Sequence, residues 1–349
     1  MEDPGWPWAT SLLKNPMKAV LADDYGGPEV LQIEDVPVPK IGPNGVLVQI
    51  HSSSVNPIDW KLRSGKLKAA RNFVFPVIWG CDFSGIVTET GSAVTFFKPG
   101  DEVYGFKDGS VAKTFRGTYA EFAVVPEKAL ARKPAKLSHE EAAAIPLAAL
   151  TAWQALVTKG RLKPGQRVLI HAGAGGVGIF AIQIAKALGV YVAATAGTSN
   201  QDFLRQLGAD LPIDYQKEKI EEKISNYDLV VDGVGKSVWA TSFSILKRGG
   251  KMITLVLPTP QTPVGKLRFF AYSGSQIAYW TLRSFFTGKR LMHLMAEPRG
   301  GDLDEITKLV ESGRLHPVIE KVFPLEQISE AHRLSETGHV RGKIVIKVD

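Results

Sequence analysis

"HAGAGGVG", His171 to Gly178, lies between one apolar run, "RVLI", and a second, "IFAIQIAKALG". The first run reads as a strand and the second as a helix over Val177 to Leu188. Gly173, Gly175 and Gly178 therefore spell G-x-G-x-x-G at a strand-to-helix junction. The pattern meets three physical needs: a tight turn, a close approach of backbone to a pyrophosphate, and close packing of helix on strand. The helix start adds free N–H groups and the positive end of its dipole. Gly173, Gly175, Gly176, Val177 and Gly178 are thus candidate dinucleotide contacts, with a ligand-free glycine turn as the plainer alternative.

Outward from this stretch the rhythm is strand, helix, strand. "YVAATA", a helix over Gln201 to Leu207, "LVVDGV", a helix near Trp239 to Leu246 and "GKMITLVL" follow in turn. Such alternation implies a doubly wound parallel sheet with helices on both faces, a Rossmann-type α/β architecture. Upstream, Lys18 to Pro126 reads as β-rich, with short apolar runs such as "GVLVQIHSSSV" and "FSGIVTE" between Gly and Pro turns. After Gly300 the chain predicts helices over Leu303 to Glu311 and Gln327 to Glu336 and the strands "HPVIEKVFPL" and "GKIVIKV". That tail is expected to fold back onto the N-terminal half.

The end of the second strand decides which dinucleotide fits. NAD-binding sites usually place Asp or Glu about 20 residues past the first glycine, on the ribose hydroxyls. Here the place is held by "ATAGTSN", Ala194 to Asn200, which has no acid. Thr198, Ser199, Asn200 and Tyr215 are candidate partners of a 2'-phosphate, so the expected cofactor is NADPH. Val256 and Leu257, the last two residues of the run "MITLVL", complete the candidate contacts.

The bulk properties agree with a folded protein. The 349 residues suit two domains, and 44% apolar with 22% charged residues is ordinary globular usage. A single cysteine, Cys81, allows no internal disulfide and no thiolate zinc cluster, and points to a reducing compartment. The first twenty residues lack a signal or transit pattern and read as a loose cytosolic leader, so the expected location is cytoplasmic. The net charge of +7 is concentrated: Lys266 to Arg299 holds six Lys or Arg against one Glu, unlike a groove for nucleic acid.

Together with the glycine stretch, "SSVNPIDWKLRSG" (Ser53 to Gly65), "GCDFSGIV" (Gly80 to Val87), "FKPGDEVYG" (Phe97 to Gly105) and "LTAWQAL" (Leu150 to Leu156) resemble the medium-chain dehydrogenase/reductase superfamily. "FLRQLGADLPIDY", "DLVVDGVG" and "GHVRGKIVIKV" agree. The closest likeness is to the zinc-free quinone oxidoreductase and 2-alkenal or enone reductase branch. The resemblance implies a GroES-like catalytic domain, residues 1–147 and 301–349, around a Rossmann-type domain, residues 148–300. It also implies a homodimer and NADPH-dependent hydride transfer to a small apolar electrophile, a quinone, enone or enal. The zinc-dependent relatives carry Cys at the place of Asn56, and His then Glu at Cys81 and Asp82, which leaves too few ligands here, so no metal is expected.

In the segment after "NPxD", family members supply a donor for the developing enolate oxygen, and the matching candidate is Lys61, with Asn56 and Asp59 beside it. A solvated surface lysine and, for Asp59, a helix cap are the plainer alternatives. Thr151 resembles the family threonine near the nicotinamide, or is a helix cap for Ala152 onward. Arg341 stands in for an arginine that relatives use on the adenosine phosphate, where this chain has His339.

The segment Pro263 to Met295 stands apart. Ala278, Leu282, Phe285 and Phe286 fall on one helical face, which could wall a substrate pocket, pack on a second subunit, or rest on an anionic membrane surface. Aromatic stripes at this spacing are most often core, so packing is the expected role. Two other functions remain open at this stage, an enoyl-thioester reductase of lipid or polyketide metabolism and a catalytically silent NADPH-binding scaffold.

Overall fold

The computed structural model describes residues 16–108, 116–260 and 265–349. Its first half runs β1 (Pro16–Ala22), β2 (Gln32–Pro37), β3 (Gly45–Val55), α1 (Pro57–Arg63), β4 (Val77–Ile78), β5 (Asp82–Thr90), β6 (Glu102–Phe106), β7 (Phe122–Pro126) and β8 (Leu130–Arg132). Helices α2 (His139–Ala143) and α3 (Pro146–Trp153) lead on to β9 (Arg167–Ile170), α4 (Gly176–Ala187), β10 (Tyr191–Ala196), α5 (Gln201–Gln206) and β11 (Leu211–Asp214). Then come α6 (Ile220–Lys223), β12 (Tyr227–Asp232), α7 (Trp239–Ile245), β13 (Leu246–Thr254), α8 (Lys266–Thr287) and β14 (Arg290–His293). The tail is α9 (Gly300–Glu311), β15 (Ile319–Pro324), α10 (Ile328–Glu336) and β16 (Lys343–Lys347).

Six strands form one sheet in the order β11-β10-β9-β12-β13-β14, and every pairing in it is parallel. Its strands are near-continuous apolar runs because both faces are covered; β9 buries three of its four residues. The strand order reverses beside β9, which opens a crevice at the carboxyl ends of β9 and β12. Helix α4 packs into this core along with Leu150, Ile170 and Ile306.

A second sheet follows the order β15-β16-β3-β5-β6-β8, with β7 also pairing β3. The tail returns as expected: β16 lies antiparallel to β3, with Ile344 opposite Val55. Of the segment read as a loose leader, residues 1–15 lie outside the described residues, and Pro16–Val20 belong to β1, held against β2 by a ladder from Pro16↔Pro37 onward.

The expectation for the aromatic face of α8 is corrected. Ala278, Leu282, Phe285 and Phe286 are all exposed, and only Phe269 and Trp280 of this helix are buried. The reason is location. The helix lies against β14 at the edge of the sheet, and Trp280 plugs into a cluster with Trp239 and Phe243, which leaves the opposite face uncovered by any described element.

Candidate functional site

The turn after β9 begins with Ala172 at φ +53°, and Gly173 N–H donates to Thr195 O at 2.8 Å, tying the turn to β10. A Cβ on Gly178 would stand 2.4 Å from Ala172 O, so only glycine lets the helix sit this close to the strand. A Cβ on Gly175, by contrast, meets nothing nearer than Ala172 O at 3.4 Å. Gly175 is the N-cap of α4, no side chain caps it, and no acid occupies the first turn. The amides of Gly176, Val177 and Gly178 thus begin a helix whose half-buried N-terminus, beside Gly342 and Lys343, carries no capping side chain, and such an end suits a pyrophosphate. His171, at the start of the stretch, is pinned between Thr195 Oγ1 and Ser242 Oγ, and burial pushes its pKa down to about 4.

At the end of β10, Thr198–Asn200 form one short turn. Arg341 Nε donates to Asn200 Oδ1 at 3.0 Å, and its guanidinium lies 5.0 Å from the Phe203 ring centre. A loop without a basic residue of its own therefore gains one from the C-terminal segment. The backbone bond from Gly342 N–H to Ala174 O, 2.9 Å, fixes that segment against the glycine turn. Ser199 and Tyr215 are exposed nearby. Thr198 is engaged elsewhere: its hydroxyl donates to Asp214 Oδ2 at 2.5 Å. Asp214 is the acid that a linear search past the glycines misses, since it arrives from β11; its carboxylate is taken up by Thr198 and by Gln216 N–H at 3.0 Å. Val256 and Leu257 follow β13, with Val256 N–H on Thr254 Oγ1 and Leu257 exposed.

A buried polar cluster lies on the far side of the glycine turn. Asn56 is the N-cap residue of α1, and its carboxamide also reaches away from the helix. Its Nδ2 donates to Asp82 Oδ2 at 2.8 Å, and its Oδ1 accepts from Lys343 Nζ at 2.5 Å. Lys343 Nζ also stands 3.2 Å from Asp82 Oδ2, and its stem runs past the first turn of α4: a Cβ on Gly176 would lie 3.0 Å from Lys343 Cδ. Asp82 further accepts from Ser54 Oγ and from Leu147 N–H, each at 2.7 Å. One lysine therefore touches both the glycine turn and the carboxylate cluster.

Asp59 reaches back to the Asn56 N–H at 2.8 Å, the geometry of the helix-cap alternative, and also accepts from Cys81 Sγ and Tyr119 OH, both at 3.2 Å. Burial raises its pKa to about 6, with the Asn56 and Cys81 hydrogen bonds opposing. Tyr119 OH meets His332 Nε2 at 3.3 Å, and burial drives that histidine down to about 3 while holding the Tyr119 and Cys81 protons firmly in place.

The structure thus brings Asn56 and Asp59 together but leaves Lys61 outside their hydrogen bonds. Lys61 is half-buried, with Nζ 5.4 Å from the Trp60 ring centre, and Lys66 lies 5.1 Å from the same ring. Burial, with help from Lys66, lowers the Lys61 pKa. Thr151 is not the cap of a helix over Ala152 onward, because α3 starts five residues earlier at Pro146; its hydroxyl donates to Leu147 O at 2.6 Å, one turn from the Asp82 contact. Lys343, Asp82, Tyr119 and His332 are the site members that sequence reasoning missed. The available signal for Lys343 was a charged residue opening an apolar strand, "KIVIK".

With this geometry in view, comparison with known proteins is informative. Residues 42–135 match a family described as the alcohol dehydrogenase GroES-like domain, and residues 207–346 match one described as zinc-binding dehydrogenase. The bovine mitochondrial NAD(P)H oxidoreductase RTN4IP1 is 37% identical over 364 residues, covering 97% of this chain and 91% of its own. An Arabidopsis thaliana chloroplastic NADPH-dependent alkenal/one oxidoreductase is 36% identical, over 97% of this chain and 81% of its own. The quinone oxidoreductase structure from Coxiella burnetii superposes with a TM-score of 0.80 at 36% identity, over 96% of this chain and all of that one. The chain belongs to the medium-chain dehydrogenase/reductase superfamily, in its quinone oxidoreductase and alkenal reductase branch.

One of those family descriptions names zinc, and the residues here do not fit that ion. Among the described residues no group of three or more His, Cys, Asp or Glu is placed to hold a metal. Cys81 keeps its proton on Asp59, Asp82 is saturated by four donors, and one of those donors is an ammonium. A cation already sits in the cluster, and a second would meet it at close range.

Proposed function

We propose that the chain is an NADPH-dependent oxidoreductase that reduces small apolar electrophiles, quinones or α,β-unsaturated ketones and aldehydes, without zinc. The observation that carries this reading is Lys343, whose stem lies on the glycine turn while its ammonium lies between Asn56 and Asp82. A cofactor cradle and a polar cluster that holds a lysine therefore adjoin. When bound, NADPH supplies the hydride.

The chain's own residues divide the remaining work. The amides of Gly176, Val177 and Gly178 hold the diphosphate, Arg341 with Asn200 and Ser199 holds the 2'-phosphate, and Val256 and Leu257 border the nicotinamide end with Thr151. Tyr215 lies at the adenosine rim, and Thr198 shapes it through Asp214. Asn56 and Asp59 fix the start of α1 so that Lys61, its pKa lowered by burial, can donate to the oxygen on which charge develops. The division into residues 1–147 with 301–349 and residues 148–300 belongs to this reading, supported by which strands share each sheet.

The partner assignment is a small electrophile, a second copy of the chain and a peripheral membrane contact through residues 263–295, with no nucleic acid. Among the described strands β14 ends its sheet, which supports the homodimer, since two such edges can continue one sheet. Among the described residues no helix is long and apolar enough to cross a membrane. Cytoplasm is the location we assign on the single cysteine; two of the relatives above are named mitochondrial and chloroplastic, and fractionation of cells expressing the tagged chain tests the assignment.

Steady-state NADPH oxidation tests the function. Turnover of a quinone or enone is expected, with Lys61→Ala lowering it about 10²- to 10³-fold at unchanged NADPH affinity. Turnover of acyl-thioesters alone identifies an enoyl-thioester reductase instead, and tight NADPH binding with no turnover identifies a scaffold.

A further inference from the structure

The face of α8 that points away from the protein is the apolar one. Leu267, Ala271, Gly274, Ala278, Leu282 and Phe285 recur at helical spacing along a single line, and all are exposed. Leu267 is 85% exposed, Phe285 82% and Phe286 77%. Small residues fill the middle of the line, so the bulk stands at its two ends: Leu267 with Phe270, and Leu282 with Phe285 and Phe286. The ends lie about 27 Å apart along the helix.

Charge singles out the same region. Residues 233–296 contain nine Lys and Arg and no Asp or Glu, which exceeds the net +7 of the whole chain; the remainder holds 33 Lys and Arg against 35 Asp and Glu. Lys266 and Arg268 flank one apolar end and Arg290 the other; Arg283, over the Trp280 ring, and Lys289, which donates to Phe243 O and Ser244 O, are turned to the protein and contribute less. Two more cations come from neighbouring elements. Lys236 reaches Tyr272 OH at 3.3 Å, and Arg248 packs beside Gly288, where a Cβ would lie 3.1 Å from its Cγ. Lys247 is paired with Asp228 and contributes less.

We infer that α8 docks on the surface of an anionic lipid bilayer, with its two apolar ends inserted at the headgroup boundary and the cations around them on lipid phosphates. The cations exclude a span and suit the interface, where basic residues beside an apolar helix face bind anionic lipid. A second copy is the poorer occupant, because a two-fold contact here would set one acid-free patch against another with no carboxylate in either to neutralise it. The inward side of the same helix adjoins the crevice: Ser273 Oγ donates to Pro258 O at 2.8 Å, next to the candidate cofactor contacts Val256 and Leu257. On the function proposed above, on which this part of the inference rests, docking through α8 would bring an apolar electrophile dissolved in the membrane near the site.

Vesicle sedimentation of the full chain tests the surface without substrate. Binding to vesicles of phosphatidylcholine mixed with phosphatidylglycerol is expected to be at least about 10-fold tighter than to phosphatidylcholine alone, and to weaken with salt. Lys266→Gln with Arg268→Gln should weaken it about 25-fold, from roughly fivefold per cation. Leu267→Ser with Phe285→Ser and Phe286→Ser should abolish it, while NADPH affinity and turnover of a water-soluble enone stay unchanged. Absent binding, or equal binding to both vesicles, overturns the inference. So does a concentration-dependent dimer that the triple variant dissociates in lipid-free buffer, which would make this face a contact between copies. If vesicles bind as expected and no electrophile is turned over, the docking stands and the enzymatic reading fails.

Discussion

Helices α4 and α8 flank the same parallel sheet and are built on opposite plans. The first buries eight of its 12 residues, and its exposed asset is a bare N-terminus; the second buries two of its 22 and displays its apolar residues to solvent. In α4 the apolar pattern answers to the core, and the glycines at its start answer to a ligand. In α8 the buried side chains are Phe269 and Trp280, the latter against Trp239 and Phe243, and the aromatic pattern of the opposite face answers to something outside the described chain. Apolar periodicity alone does not say on which side of a helix its partner lies.

The sharpest way to break this comparison is to place the same charge at both helices. Gly175→Asp sets a carboxylate before α4, where its Cβ meets nothing nearer than 3.4 Å, and titration should show NADPH affinity down about 10²- to 10³-fold with the fold intact. Gly274→Asp in α8, where a Cβ meets nothing within 4 Å, should leave that affinity unchanged. Next comes packing. Trp280→Ala should cost about 3–5 kcal/mol in chemical denaturation, and Phe285→Ala less than about 0.5 kcal/mol, because one side chain leaves a hole and the other leaves solvent. Equal losses would mean that the exposed face of α8 is packed after all.

Acid adds a third test, at the foot of α4. His171 has a pKa of about 4 in the fold against 6.5 for the free group. Between those values the unfolded chain binds a proton that the folded chain refuses, so stability falls as pH drops through 6.5 and the loss is complete below 4. The size is about 3 kcal/mol, and His171→Gln should remove that part of the pH dependence of unfolding. The smallest expected effect is at the adenosine end, where Arg341→Ala should weaken NADPH about 10- to 100-fold and NADH hardly at all. An equal loss for both cofactors would assign Arg341 to the fold.

What could be read in the sequence follows from distance along the chain. The glycine turn is eight contiguous residues, and its strand and helix lie directly beside it, so local pattern was enough. The order of strands and helices was legible for the same reason; the tail's return to the N-terminal half was expected from its renewed short strands, but that it pairs with β3 comes only from the fold. The polar cluster was not, because Asn56, Asp82, Tyr119, His332 and Lys343 come from five separate stretches that only the folded sheet unites. Thr151 was open to misreading because the start of its helix is set by Pro146, outside the motif that drew attention to it. Asp214 escaped a search counted from the glycines since it belongs to the next strand. For α8, spacing gave the apolar face correctly, but only the sheet edge shows that nothing in the described chain covers it.

Turnover after exhaustive chelation tests the central claim most directly. Protein stripped with a strong zinc chelator, supplied with NADPH and either a quinone or an enone, should oxidise the cofactor at the rate of untreated protein, since Lys343 already occupies the cluster with its charge. Loss of turnover on chelation, restored by added zinc, would contradict the account.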